Sequence, residues 1–460
     1  MYKRYTVFLF LFVLLFLPFL LVGQDYYMVD NIIIEGNQKT KDDIILRELR
    51  FGIGDTISSQ DWRELKEKSI YNLEKTSLFN FIEIQMSTNG ELCTIKLLLE
   101  ERWYLWPYPI FEHADRNLSS FLYSADWSRI NYGLFLVKYN FRGRNDVVKL
   151  KFRSGFRQQY GMVYENTNLD KEKKLSLYSE LYYFRQRKLI VNQEDFKPVY
   201  LDGEKNIMLD ELRGEFGVRY RPSYDVFHTI KMKYDQLVIA DTVNHYNKKY
   251  ASGDQGDKSI SFSYRFLYNS RNSNIFPLKG VFTALTFKQY FYGENFNSYI
   301  TELASDLRAY YSLGSGVYVA GQLAARYRQG KEIPFHMNQA LGYEVFTRGY
   351  ENYIFNAKDY VLARTSLKYE LIGKHVRTIP LLPRKFSKIH YALYLEYFAE
   401  AFHLSESYEE YEKQNQLGDI LGSTGLGLSL VTYYDWVVRG EFSANSLLDY
   451  GVFISLHAPF

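Results

Sequence analysis

The sequence predicts a mainly β protein: a 16-stranded antiparallel transmembrane β-barrel behind one small N-terminal βααββ module. Three observations carry this. From about Asn117 onward, runs of about ten residues alternate apolar with polar or charged side chains, the two-residue period of a strand with one face in lipid. Aromatic residues are 18% of the 460, with 43 Tyr and 34 Phe, and such rings suit half-buried strands and membrane interfaces. Mean hydropathy is −0.30 and no run after Val22 is apolar enough to cross as a helix, so a membrane form must cross as strands.

The chain opens with Lys3 and Arg4 before an apolar run from Thr6 to Val22, and Gly23 is small enough to precede a cleavage point. Residues 1–23 therefore read as a secretory signal peptide, a single membrane anchor being the alternative. Cys93 is the sole cysteine, so no internal disulfide forms, and it reads as a buried core residue. A net charge of +3 gives no case for nucleic acid.

Residues 24–102 form the module. Val29–Glu35 reads as a strand stopped by Gly36-Asn37, and Thr40 reads as the cap of a helix over Asp42–Arg50. Ser58 or Ser59 caps a second helix over Asp61–Thr76. Two strands, Phe79–Met86 and Leu92–Glu100, flank the hairpin signal Asn89-Gly90. This order, with the Ile-Glu-Gly-Asn start, resembles a POTRA domain. The resemblance implies a periplasmic location and a sheet edge able to pair with extended chains; a rigid spacer is the plain alternative. Residues 103–117, with Pro107 and Pro109 among aromatics, read as a stiff connector.

Residues 118–460 read as the barrel, with a first strand over about Leu118–Trp127. Ser119, Ser120, Ser124 and Asp126 interrupt that strand, which predicts poor pairing. Farther on, Val148, Leu150 and Phe152 oppose Lys149, Lys151 and Arg153. Ile260, Phe262, Tyr264, Phe266 and Tyr268 oppose Ser259, Ser261, Ser263 and Arg265. Short turns such as Arg142-Gly143-Arg144 alternate with long polar loops, the longest over about Gln329–Ala357.

Four landmarks follow in order: Arg271 with Phe276-Pro277-Leu278-Lys279-Gly280; Arg348-Gly349-Tyr350 inside the longest loop; Phe398-Ala399-Glu400-Ala401; and a terminal strand with Tyr450, Gly451, Leu456 and Phe460. Alone, Arg348-Gly349-Tyr350 reads as a surface turn with Gly349 at positive φ. Behind a POTRA-like module the set resembles the BamA/TamA family, POTRA plus bacterial-surface-antigen barrel, across essentially the whole mature chain. The resemblance implies that Arg348 enters the lumen and pairs with an acid on the neighbouring wall, at the position of Glu400. Here Glu replaces the usual Asp, and Phe402 replaces a glycine. Alternation agrees on the face: Tyr391, Leu393, Leu395, Tyr397 and Ala399 take the apolar side, so Glu396, Phe398 and Glu400 point inward, since a lipid-facing Glu400 would be costly.

The resemblance further implies a Gram-negative outer-membrane insertase or translocase of polypeptides, working by strand templating at a weak seam between first and last strands. A dedicated secretion translocator and a plugged passive pore are the alternatives. Its partners would be outer-membrane lipid, unfolded outer-membrane or secreted polypeptides, and periplasmic chaperones or accessory lipoproteins. No G-x-S-x-G elbow, H-E-x-x-H, C-x-x-C or P-loop is present, so the sequence calls for no enzyme chemistry, metal or cofactor.

Overall fold

The structure, a computed structural model, describes residues 26–113, 127, 130–166, 169–170, 174–204, 206–330, 332–378, 380, 388–405, 420–432 and 436–455. The expected leader, 1–23, lies outside them, as do Leu456 and Phe460. The chain divides into two compact units, Met1–Arg102 and Trp103–Phe460.

The first unit runs β1 (Tyr26–Glu35), α1 (Asp42–Leu46), β2 (Thr56–Ser58), α2 (Asp61–Lys75), β3 (Phe79–Asn89) and β4 (Leu92–Glu101). Its sheet order is β2-β1-β4-β3, with β1 parallel to β4. The short strand β2 is an addition to the expected order. Alternation in β4 buries Cys93, Ile95, Leu97 and Leu99 beneath α1 and α2 residues such as Ile44, Ile45 and Leu73. Burial also pushes the Cys93 thiol up from its ordinary range. Alkylation of Cys93 is therefore expected only as fast as the module opens, which mass spectrometry at rising urea checks.

Two expectations fail here. Helix α1 ends at Leu46 rather than Arg50, and Thr40 does not cap it. The Thr40 hydroxyl instead donates to Glu101 Oε1 at 2.6 Å, and that oxygen also accepts the Thr40 N–H at 2.7 Å. A buried carboxylate on β4 thus takes the residue that a local motif assigned to the helix. Ser58 does serve α2, its Oγ accepting the Asp61 N–H at 3.1 Å. Gly36 ends β1 at φ +95°, and a Cβ there would lie 1.9 Å from the Leu99 carbonyl oxygen. Gly36→Ala is expected to cost more than the ~1–3 kcal/mol of backbone strain alone. Limited proteolysis of the full chain should then cut within 26–102 first.

The second unit is one 16-stranded antiparallel sheet rolled into a barrel. Its strands are β5 (Leu105–His113), β6 (Ile130–Lys138), β7 (Val147–Gly155), β8 (Arg157–Asn166) and β9 (Leu175–Gln186). After a hairpin, β10 (Lys188–Glu194) and β11 (Lys197–Asp202), come β12 (Leu209–Tyr220) and β13 (Val226–Ile239). Helix α3 (Asp241–Tyr246) precedes β14 (Gly256–Asn269), β15 (Gly280–Tyr292), β16 (Ser298–Gly314) and β17 (Val317–Gln329). The bridge strands β18 (Gln339–Leu341) and β19 (Phe355–Asn356) lead to β20 (Tyr360–Thr378), β21 (Lys388–Leu404), β22 (Leu421–Thr432), β23 (Val437–Asn445) and β24 (Tyr450–Ser455). The end where β5 begins is called the near end, and the opposite end the far end.

The first strand is a correction. The stretch expected as a connector, 103–117, contains β5, which pairs with β6 from Leu105↔Lys138 to His113↔Ile130. Most of the strand expected from Leu118 to Trp127 lies outside the described residues. Pro107 and Pro109 suggested a linker because proline donates nothing to a ladder. An edge strand needs only one bonded side, and there proline is tolerated. Among the described residues β5 ladders with β6 and β24 with β23, so these are the two end strands of the sheet.

Outward faces carry Leu395, Tyr397, Leu426, Leu428, Val452 and Ile454, all exposed; the inward face of the same wall is charged. At the far end the long polar loops fold into a cap. The hairpin β10–β11 turns at Asp195 and Phe196, φ 46° and 59°, the mirror-type turn that suits strand twist. Val191, Val243, Tyr250 and Phe335 share one buried cluster, joining that hairpin, α3 and the 330–359 loop. The Phe196 carbonyl accepts the Ile354 N–H at 2.8 Å.

Candidate functional site

The 330–359 loop leaves β17 at the far end and turns into the lumen. Gly342, at φ +81°, starts the descent, its N–H donating to the Val345 carbonyl at 2.8 Å. The loop meets a wall built by β20 to β23. Strand parity turns Arg364, Ser366 and Lys368 inward on β20, Glu396, Phe398 and Glu400 on β21, and Arg439, Glu441 and Ser443 on β23; all are buried. Two rungs cross this wall: Arg364–Glu400–Ser423–Asn445, and Lys368–Glu396–Gly427–Glu441. Between Glu396 and Glu441 the rung has no side chain, because Gly427 occupies it.

Arg348 bridges the two acids of that rung. Its Nη1 donates to Glu396 Oε1 at 3.1 Å, and its Nε and Nη2 donate to Glu441 Oε2 at 3.1 and 3.0 Å. The guanidinium stacks on Phe398, 3.7 Å from the ring centroid. Phe398 in turn lies across Gly425, where a Cβ would come within 2.6 Å of the ring. Gly425 on β22 thus makes room for the ring that carries the cation.

Glu400 is not the partner of the guanidinium. Its Oε2 accepts the Arg348 backbone N–H at 3.2 Å and pairs with Arg364 Nε at 3.1 Å. The reason is reach. The Arg348 backbone sits at the Glu400 rung, and its side chain extends past Phe398 to the next charged rung. Arg364 also donates to the Phe346 carbonyl, so one wall arginine holds the loop backbone while a wall carboxylate holds its amide. Arg439 joins Glu441 Oε2 at 2.8 Å. The result is a buried network rather than a pair. Such networks specify position more than they stabilise, since desolvation offsets much of the Coulomb attraction.

Gly349 and Tyr350 complete the seat. Gly349 sits at φ +78°, and a Cβ there would lie 3.0 Å from Ser423 Cβ. Its carbonyl accepts from Asn445 Nδ2 at 2.6 Å. The Tyr350 hydroxyl donates to the Gly422 carbonyl at 2.8 Å and meets Ser446 Oγ at 2.8 Å. Its ring packs edge-on against Phe402 at 5.1 Å and Phe355 at 5.7 Å. The glycine-to-Phe402 change is thereby explained: the ring fills space beside Tyr350. Tyr353 donates to Asp449. The loop therefore grips the tip of the β23–β24 hairpin as well as the wall.

The turn before β15 approaches the same wall from the near end. Phe276 is buried 4.9 Å from Tyr394, with the Lys368 ammonium 4.4 Å above its ring, and Pro277 is buried beside it. The Leu278 and Lys279 N–H groups donate to Asn272 Oδ1 at 2.9 and 3.0 Å, closing the turn. Arg271 lies 4.5 Å over Phe282, and Gly280 at φ +103° is needed because a Cβ would meet the Ser270 carbonyl at 2.3 Å. In the last strand Tyr450, Val452 and Ile454 face outward, and Gly451 pairs with Ser443.

Glu441, Glu396, Arg364, Asn445 and Asp449 were not singled out from the sequence as loop contacts. A signal existed for Glu441: Arg439, Glu441, Ser443 and Asn445 alternate with Val438, Gly440, Phe442 and Ala444. Among the described residues no group of three His, Cys, Asp or Glu is disposed to hold a metal ion.

A 16-stranded barrel with a lumenal loop ion-paired to its wall, in a chain that opens with a small α/β unit, defines a class of outer-membrane β-barrel protein. The chain belongs to the Omp85 superfamily: that superfamily domain matches residues 140–431, and POTRA, the surface antigen variable number repeat, matches residues 27–100. At family level this is a β-barrel protein translocase or insertase. Among solved structures the chain resembles BamA from Haemophilus ducreyi lacking POTRA domains 1-3, at 15% identity and TM-score 0.51, covering 94% of this chain and 83% of that one. It also resembles CdiB from Escherichia coli, at 10% identity and TM-score 0.54, covering 93% and 75%, and CdiB from Acinetobacter baumannii, at 12% and 0.51, covering 94% and 74%. At these identities the likeness is one of fold. No curated protein matches the chain in sequence.

Proposed function

We propose that this protein inserts or exports polypeptides at the outer membrane, with client strands templated on the seam between β5 and β24. The supporting observation is that β5 and β24 are the two end strands of the 16-stranded sheet, β5 laddered to β6 and β24 to β23 among the described residues. An unpaired edge in lipid leaves N–H and C=O groups unsatisfied, so an incoming strand gains hydrogen bonds there that nothing else supplies. Pairing of the client provides the driving force, and no nucleotide, metal or catalytic group takes part. On this reading the POTRA unit lies in the periplasm and receives unfolded clients, with chaperones or accessory lipoproteins as further partners. Arg348, Gly349, Tyr350 and Glu400 hold the lumenal loop. Arg271, Phe276, Pro277 and Gly280 brace the wall beneath it, and the C-terminal segment, with Tyr450, Gly451, Leu456 and Phe460, carries the protein's own insertion signal. Depletion followed by quantitative outer-membrane proteomics tests this. Broad loss of barrel proteins is expected. Loss of a single exported protein would convert the reading to a dedicated translocator, and an unchanged proteome would overturn it.

A further inference from the structure

Strands β20 and β21 do not stop with their neighbours. The last rung of β20 with β17 is Val317↔Tyr369, closed by the Glu370 N–H donating to the Gly316 carbonyl at 2.8 Å. The last rung of β21 with β22 is Tyr391↔Thr432. Yet β20 and β21 continue to pair with each other through His375↔Tyr391, Val376↔His390, Arg377↔Ile389 and Thr378↔Lys388. A two-stranded ribbon therefore runs on from the near end. The eight residues 371–378 span ~26 Å at the usual strand rise. Among the described residues no strand pairs with their outer edge.

The ribbon has its own chemistry. Leu371, Ile372 and Val376 are exposed, as are Lys374, His375 and Arg377. Residues 371–378 contain no acid, and no carboxylate pairs with Lys374 or Arg377 among the described residues. His375 stacks on Tyr391 at 6.0 Å, which stiffens the ribbon across its two strands. Two register shifts, between Glu370 and Ile372 and between Ile372 and His375, detach this segment from the regular barrel wall. Bulges of this kind re-aim a strand.

We infer that the outer edge of residues 371–378 is a docking strand for an extended, acidic segment of a soluble partner protein, which adds to the ribbon by main-chain pairing. Apart from the Gly373 carbonyl, which meets His375 Nδ1 at 2.7 Å, the edge supplies N–H and C=O groups that no strand pairs with among the described residues; the cations supply charge complementarity, and Leu371, Ile372 and Val376 supply exposed apolar surface. An anionic lipid surface could also meet such cations. The ribbon's length past the last shared rungs and its open backbone edge favour a peptide, since headgroups make no strand ladder.

The test uses the full chain and a fluorescent eight-residue peptide alternating Glu with Val. Saturable binding by anisotropy at low salt is expected. Binding should weaken about tenfold, ~1.4 kcal/mol, with K374E/R377E, whose barrel should keep its heat-modifiable gel mobility. The same loss is expected when alternate amides of the peptide are N-methylated, which leaves its charge intact. Absence of saturable binding, equal binding of a Lys/Val peptide, or equal binding of the N-methylated peptide would overturn the proposal. So would loss of peptide binding when phosphatidylglycerol replaces phosphatidylcholine around the reconstituted protein, because the cations would then belong to the lipid surface.

Discussion

Arg348→Ala is expected to abolish function while the barrel still folds. The substitution leaves Glu396 and Glu441 buried without the cation that bridges them. Removing one partner of a buried ion pair costs ~3–5 kcal/mol, because the remaining charge is stranded. That cost is not paid by the wall strands, whose ladders are intact. It falls on the loop, which leaves its seat. The expected readouts are failed complementation in a depletion strain, retained heat-modifiable migration, and new protease cutting within 330–359. Arg348→Lys should rescue poorly, since a single ammonium cannot span both carboxylates as the planar fork does. Normal complementation by the Ala variant would remove the latch from the mechanism.

The second large effect is expected at Glu441. It accepts from Arg348 at 3.0 Å and is ion-paired with Arg439 at 2.8 Å. Glu441→Lys would gather three cations in one buried place. Its phenotype should match that of Arg348→Ala. Glu400→Gln should be milder, because the amide keeps an acceptor for the Arg348 N–H and for Arg364. Complementation strength and urea midpoint of the two variants give the ranking. The reverse order would return the guanidinium's partnership to Glu400.

That ranking marks where sequence reasoning reached and where it stopped. Period-two alternation is a local signal, and it gave the barrel, its inner face and the inward direction of Glu396, Phe398 and Glu400. It failed at β5, where Pro107 and Pro109 resemble a linker unless one knows that the strand is an edge. It failed again at Thr40, whose partner Glu101 lies 61 residues away. The loop's true carboxylates depended on register. Glu441 is 93 residues from Arg348, and only the alignment of β21, β22 and β23 places Gly427 between the two acids. The cap was illegible for a related reason: β10, β11 and α3 lie in polar stretches whose few apolar residues become meaningful only when three loops meet.

The seat of the lumenal loop also bears on how the molecule is made. A segment enclosed by a finished wall would have to thread through it, and folded chains avoid threading. Arg348 and its partners Glu396, Glu400 and Glu441 all lie in the last third of the chain, at most 93 residues from it. Their loops are cheap to close compared with a join between β5 and β24. The expected course is that the C-terminal wall forms on the loop first and the N-terminal strands curl round the occupied lumen afterwards. Pulse-labelled hydrogen exchange during refolding into micelles should then protect β20 to β23 before β5 to β8. The enclosed loop becomes a mandrel for its own barrel.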